Sequence, residues 1–404
     1  VKTISTIGEL VASGVLLIGD GYRTKRSEHG QPGYRIIRVA DVMENVVSFG
    51  GPDFVSKDYS DAIGPKAGQS GDILLTTKGT VGRVAVMPDT ADQVVYSPQL
   101  CFFRVVDACA LVPRFLRYWF SSTEFWNQAA DRMNNTDMAA YINLADVRSL
   151  KLSLPDVTEQ QAIAEVLGAL DGKIAANTKL AESASELATA EFRQRIRHVP
   201  FSDQTFADLS KVSGGGTPST GIAEYWNGDV LWATPTDVTG LQGPYLSATS
   251  RRISDAGLKA CASEMYPAGS ILMTSRATIG AFALAQEPMA VNQGFIVVQP
   301  HDSDLRFWFF HEMRSRVDEF ISLANGATFL ELSRGNFKKF KVRLAEAHVM
   351  KEFAALAEPL HATAANALLE NTKLASTRDT LLPQLMSGKL RVRDAEKVLE
   401  EAGV

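Results

Sequence analysis

Residues Thr158–Gln194, TEQQAIAEVLGALDGKIAANTKLAESASELATAEFRQ, contain no proline and only two glycines, Gly168 and Gly172. Ile163, Leu167, Leu170, Ile174, Asn177, Ala181, Ala184 and Ala188 recur at alternating steps of four and three. That spacing lines them along one face of a helix. At about 1.5 Å per residue the helix spans roughly 55 Å, beyond the ordinary globular range. A narrow seam of mostly small side chains predicts close packing against a second helix. The stretch Ala347–Leu381 supplies one: Phe353, Ala357, Leu360, Ala364 and Ala367 repeat the spacing. The string NTKLA occurs at Asn177–Ala181 and again at Asn371–Ala375.

The segments before these helices repeat as well. Gly71-Asp-Ile-Leu-Leu-Thr-Thr-Lys-Gly-Thr-Val-Gly82 matches Gly269-Ser-Ile-Leu-Met-Thr-Ser-Arg-Ala-Thr-Ile-Gly280 position by position. Lys151-Leu-Ser-Leu-Pro155 answers Lys341-Val-Arg-Leu-Ala345, and each leads into a long helix. A duplicated unit explains both, whereas a solenoid needs three or more shorter repeats. The expected fold class is α/β: two similar domains joined by two long antiparallel coiled-coil helices, with pseudo-two-fold symmetry. The expected boundaries are 1–157 for the first domain and 158–200 for its helix. The second domain takes 201–345, and the second helix with the C-terminal tail 346–404.

Within each half, short apolar runs punctuated by glycine and proline read as strands. In the first these are Tyr34–Val39, Asp72–Thr77 and Arg83–Met87, then Val94–Val105 interrupted at Pro98. Lys78–Gly82 is a hairpin-like connection, and Tyr22–Arg26 a basic loop. Arg114–Asn127 reads as one aromatic helix with Phe115, Tyr118, Trp119, Phe125 and Trp126 toward the core. Leu305–Phe320 repeats it through Phe307, Trp308, Phe309 and Phe310. Asp131–Thr136 is polar and expected to be exposed. In the second half Gly214–Ser219 reads as a flexible turn, Asn227-Gly228 as a tight turn into a strand, and Thr234–Asp237 as another turn. Arg334, Lys338, Lys339 and Lys341 make a basic segment before the second long helix.

A formal net charge of -5 excludes a wholly basic nucleic-acid binder. Three cysteines, Cys101, Cys109 and Cys261, form no close ligand pair, and their odd number argues against a disulfide framework. No apolar run reaches the length of a membrane span and no signal-peptide pattern opens the chain, so a soluble cytoplasmic protein is expected. There is no GxSxG elbow, lysine-bearing phosphate loop or dinucleotide fingerprint. What remains is a pair of strand-and-loop modules bearing Lys, Arg, Thr, Ser, Asn and Gln. Such groups serve base edges and phosphates, and they equally form an ordinary solvated face.

Taken together, Gly215-Gly-Thr-Pro-Ser219, Tyr225-Trp-Asn-Gly-Asp229, Trp232-Ala-Thr-Pro-Thr-Asp237, Gly269–Gly280, Asn292-Gln293 and Leu381-Leu-Pro-Gln-Leu-Met-Ser-Gly-Lys-Leu390 resemble the specificity subunits of type I restriction-modification systems. The resemblance covers nearly the whole chain. It implies a non-catalytic reader of bipartite double-stranded DNA, with one half-site for each target-recognition domain and no cofactor bound by this chain. It further implies two methyltransferase subunits that use S-adenosylmethionine, docked on the long helices, and restriction/translocase subunits that use ATP and Mg²⁺. Under that reading Lys25, Arg26, Lys78 and Arg83 in the first domain, and Arg251, Arg252, Thr274 and Arg276 in the second, include DNA-facing residues. Lys78 and Arg276 stand at equivalent points of the repeat. The first domain departs from the pattern, since Leu17-Ile-Gly-Asp-Gly-Tyr-Arg23 stands where the second has GGTPS. Two other readings stay open: a non-catalytic protein-interaction scaffold, and a methyltransferase specificity subunit with no nuclease partner.

Overall fold

The computed structural model describes residues 2–135, 140–324, 330–401 and 403. Thr136, which closes the polar stretch from Asp131, lies outside them, as do the two terminal residues. Val157–Ile196 is one continuous helix of 40 residues, and Ala347–Ser387 is a second of 41. The second runs through Pro359, which removes a backbone donor. Pro359 and Ala355, one turn back, are both exposed, so the freed carbonyl faces water.

The chain divides into two compact units, Val1–Lys173 with Leu374–Val404 and Ile174–Lys373. Each unit therefore holds a globular part and a portion of both long helices. In the first, Arg378 donates to Asp171 at 2.8 Å. In the second, the Asn177 amide donates to Glu370 at 2.7 Å and the Asn371 amide to the Ile174 carbonyl at 3.1 Å. Further along, the Phe192 and Phe353 rings lie 5.7 Å apart. Position numbers rise on one helix as they fall on the other, so the helices pair antiparallel. Of the seam residues, Ile163, Leu167, Leu170, Ala181, Ala184 and Ala188 are buried. The asparagines that open the two NTKLA strings are also buried. A polar pair inside an apolar seam fixes register, because any slip leaves its amides without partners.

The globular parts repeat one topology. In the first unit an antiparallel sheet runs in the order Leu16–Asp20, Leu100–Val105, Ile73–Thr76, Val84–Val86. In the second the order is Ser210–Ser213, Phe295–Pro300, Ile271–Thr274, Phe282–Ala285, with Tyr245–Leu246 added in parallel at the edge. A smaller sheet follows in each: Phe54–Ser56, Gly33–Ile37, Val94–Tyr96, and correspondingly Arg251–Ile253, Trp226–Ala233, Ala290–Val291. In both, the middle strand pairs antiparallel on one side and parallel on the other. Thr3–Thr6 pairs with Lys151–Leu154, and Phe201–Thr205 with Lys341–Arg343, tying each domain's start to its end.

Several local readings change. The run Val94–Val105 is two strands belonging to two sheets, parted around Pro98. Each aromatic helix is broken in two, into Pro113–Trp119 and Thr123–Arg132, and into Leu305–Arg314 and Val317–Ser322. In the first case Ser122 caps the new helix by accepting from the Phe125 N–H at 3.3 Å. The aromatic side chains do face the core, except Trp126, which is 38% exposed. Asn227-Gly228 is no turn between strands: Trp226 and Val230 both register with Ile253, so the pair forms a bulge inside one strand. Thr234–Asp237 opens a short helix, Pro235–Thr239, through a capping box. Arg38–Asp41 does the same job in the first unit, where Asp41 accepts from the Arg38 N–H at 2.8 Å.

In the second unit a buried polar chain ties the globular part to the second long helix. Tyr245 Oη lies 2.8 Å from His361 Nδ1, and His361 Nε2 lies 3.0 Å from His311 Nε2. The Phe307 ring stacks on His361 at 4.4 Å. Burial pushes His361 down to about 4, with Arg314 and Arg306 acting in the same direction. Burial, then His361, Arg314 and Arg193, push His311 down to about 2. An unfolded imidazole binds its proton near pH 6.5, so the unfolded chain holds more protons below that pH. Stability is therefore expected to fall as pH drops from about 6.5 toward 4, by up to about 1.4 kcal/mol per pH unit for each histidine. Denaturant midpoints measured between pH 7 and 4.5 check this, and a His361→Phe variant should show the shallower dependence.

Candidate nucleic-acid interface

The site is built where the larger sheet, the smaller sheet and a hairpin tip meet, and it is built the same way in each unit. A Cβ on Gly215 would stand 1.8 Å from the Val291 carbonyl oxygen, and one on Gly21 would stand 2.1 Å from that of Tyr96. The next residues complete the contact: the Gly216 N–H donates to Val291 at 3.1 Å and the Tyr22 N–H to Tyr96 at 2.8 Å. The GG of GGTPS is thus a fixed crossing point and not a flexible turn. Gly21 is its counterpart in the first unit, which resolves the apparent departure there.

Beside this crossing lies the tip of the repeated hairpin. Thr274 Oγ1 accepts from the Ala281 N–H at 2.9 Å, and Thr76 Oγ1 from the Arg83 N–H at 2.9 Å. On one flank the Ser275 N–H donates to the Gly294 carbonyl at 2.8 Å, and the Thr77 N–H to that of Gln99 at 3.0 Å. On the other, the Leu332 N–H donates to the Ser275 carbonyl at 2.9 Å, and the Ile142 N–H to that of Thr77 at 3.0 Å. The tip residues Arg276 and Lys78 form isolated bridges with Glu331 and Tyr141 respectively. Each tip is pinned from both sides, so its outward side chains are held on a rigid frame.

A cleft opens at each tip. In the first unit Arg38, Lys78, Arg83 and Gln99 line it. In the second the lining includes Arg276, Gln293, Arg334 and Lys338. Arg38 pairs with Asp53 at 2.5 Å, and Arg276 with Glu331 at 2.8 Å. The Thr217 hydroxyl donates to the carbonyl oxygen of the exposed Gln293 side chain and so helps hold it in place.

The structure brings Lys78 and Arg83 into one cleft and places Arg276 in the other. Lys25 and Arg26 are exposed beside the short turn Arg26–Glu28, outside the cleft lining. Arg251 and Arg252 sit on the edge strand of the smaller sheet, also outside it. Arg251 stands 3.7 Å over the Trp226 ring, and Arg252 donates to the Asp229 carbonyl at 3.5 Å. Thr274 is corrected: it is fully buried, and its hydroxyl serves the hairpin. Arg38, Gln99, Arg334 and Lys338 were absent from the sequence-based set. Arg334 and Lys338 lay in a segment already read as basic, whereas Arg38 carried no signal beyond its place at a strand end. Among the described residues no group of three or more His, Cys, Asp or Glu side chains could hold a metal ion. No described helix is long and apolar enough to cross a membrane.

Residues 4–185 and 200–354 match the family described as type I restriction modification DNA specificity domain, and the chain belongs to that family. Membership carries a DNA-sequence-recognition role, a non-catalytic one within a restriction-modification complex. The specificity subunit of the type I restriction enzyme MjaIX from Methanocaldococcus jannaschii is 36% identical over 137 residues, which cover 33% of this chain and 32% of that one. The HindI specificity subunit from Haemophilus influenzae is 22% identical over an alignment covering 80% of this chain and 88% of its own. In fold the chain is similar to the crystal structure of a type I restriction-modification S subunit from M. genitalium. There the TM-score is 0.60 at 15% identity, over 95% of this chain and 96% of that one.

The site geometry separates two kinds of substitution. Thr274→Val leaves the Ala281 N–H without its partner in the interior, so it should cost roughly 1–3 kcal/mol of stability, read as a shifted denaturation midpoint, with sequence preference unchanged. Lys78→Ala or Lys338→Ala should leave folding intact and lower the salt dependence of DNA binding by about one charge each.

Proposed function

We propose that this chain reads a bipartite double-stranded DNA sequence for a type I restriction-modification complex, with one half-site for each domain. The observation that carries this is the cleft formed twice by the same backbone frame, each lined by cations and an amide side chain. Lysine and arginine hold phosphates and so position the protein, while arginine, glutamine and asparagine discriminate base edges. Lys78, Arg83 and Arg276 are proposed as the DNA-facing members of the sequence-derived set, with Lys25, Arg26, Arg251 and Arg252 as outlying phosphate contacts. Spans 1–157 and 201–345 serve as target-recognition domains, and 158–200 and 346–404 as spacer helices with the tail.

Two methyltransferase subunits using S-adenosylmethionine, and restriction/translocase subunits using ATP and Mg²⁺, complete the proposed assembly in the cytoplasm. A chain of net charge -5 then relies on partners for part of the positive surface that DNA requires. Because each long helix contributes to both units, the helices are proposed to set the gap between half-sites.

Reconstituting the complex and sequencing its methylated DNA genome-wide should return a bipartite motif; a contiguous motif sinks the reading. The isolated chain, given S-adenosylmethionine, ATP, Mg²⁺ and unmethylated DNA, should neither methylate nor cleave. Inserting four residues at matched levels of both long helices adds about 6 Å, near two base pairs at about 3.4 Å each. It also rotates one end by roughly 40°. The expected outcome is a changed spacer with both half-site sequences retained, with complex assembly measured alongside as a control.

A further inference from the structure

The tips of the two repeated hairpins share a backbone frame and differ in what they carry. In the second unit the bridge joins Arg276 to Glu331, and the hydrogen bond from the Ala277 N–H to the Leu330 carbonyl, 3.2 Å, closes it. In the first the bridge joins Lys78 to Tyr141, closed in the same way by the Gly79 N–H and the Ala140 carbonyl at 3.3 Å. Bridged residues on antiparallel segments project to the same side, so each pair forms one composite surface element. Position 79 and its counterpart 277 are left-handed in both, with φ 83 at Gly79 and φ 58 at Ala277. The tip conformation thus persists even where an alanine must adopt it.

The Arg276–Glu331 contact is made through Nε and Oε1 at 2.8 Å, with side chains 45% and 41% exposed. An ion pair that open contributes little to folding. It does hold the two groups side by side at the tip, both still open to solvent. A guanidinium fork matches O6 and N7 of guanine in the major groove, and a carboxylate accepts from the N4 amine of cytosine. Those two edges belong to one base pair. A lone carboxylate would be repelled by phosphates, but Arg334 and Lys338 line the same cleft and offset its charge.

We propose that Arg276 and Glu331 act as a single specificity-determining pair that reads one G·C base pair of the second half-site. Lys78 and Tyr141 occupy the same frame in the first unit with no carboxylate, and so read a different base pair. This rests on the DNA-reading function proposed above and names the substrate feature that site takes.

The test uses the full chain assembled with its methyltransferase subunits and the methylation motif as readout. Arg276→Ala and Glu331→Ala should each lose discrimination at the same G·C position of one half-site, by roughly 10- to 100-fold, with the other half-site untouched. A graft of the first unit's pair, Arg276→Lys with Glu331→Tyr, preserves the bridge and should change base preference at that position alone. A bipartite motif that survives all three variants overturns the pair assignment. So does loss at two different positions, or uniform weakening across all sites. If the unmodified chain gives a contiguous motif or none, the function itself fails and the pair with it.

Discussion

Everything at the clefts depends on one close approach. Gly21 and Gly215 press against the carbonyls of Tyr96 and Val291, at a point where any side chain would collide with backbone. Tyr96 and Val291 end strands of the smaller sheet, and the chain then turns directly into the central strand of the larger one. The glycine lies just past the end of the neighbouring strand of that larger sheet. One contact therefore locks both sheets together and fixes the loops at Gln99 and Gln293 beside the hairpin tip. Without it those loops and the tip would have no common reference, and the cleft would lose its fixed shape.

The same economy governs the helices. A seam of alanine permits close approach but specifies little, since one small side chain is much like another. Asn177 and Asn371 supply the specification by donating across the seam to Glu370 and to the Ile174 carbonyl. Farther along, the globular part of the second unit is tied to its helix by Tyr245, His361 and His311, and that of the first by Tyr118 at Asp171, which also accepts from Arg378 of the other long helix. The second unit's attachment is built from buried rings, and the first unit's around a partly exposed carboxylate.

The long helices and the duplication were legible because periodicity and direct repetition survive in sequence, and the match of Gly71–Gly82 to Gly269–Gly280 is enough to locate both hairpins. What escaped was set by tertiary context. Ser122 breaks the aromatic helix because its hydroxyl caps a new one, a choice that propensity does not show. Asn227-Gly228 carries a strong turn signal, yet neighbouring strands hold it as a bulge. Thr274 sits in a polar-looking stretch, TSRAT, but it closes a strand that is buried on both faces. Arg38 reaches the cleft only because the smaller sheet crosses the larger, and no local pattern encodes that crossing.

The twelve matched positions of the hairpin repeat mostly encode the frame: the buried strand, the inward threonine, the glycine before the return strand. The bridge partners are drawn from elsewhere, from Tyr141 and Glu331, which no alignment of the hairpins alone would pair with Lys78 and Arg276. A frame closed by backbone hydrogen bonds tolerates nearly any side chain at those bridge positions, because the bonds that hold it involve none of them. The backbone of these few residues thus holds the frame and leaves their side chains able to differ. A duplicated domain built this way can keep its architecture while the side chains at its two tips diverge, and an acid bridged to Arg276 against a tyrosine bridged to Lys78 is such a divergence.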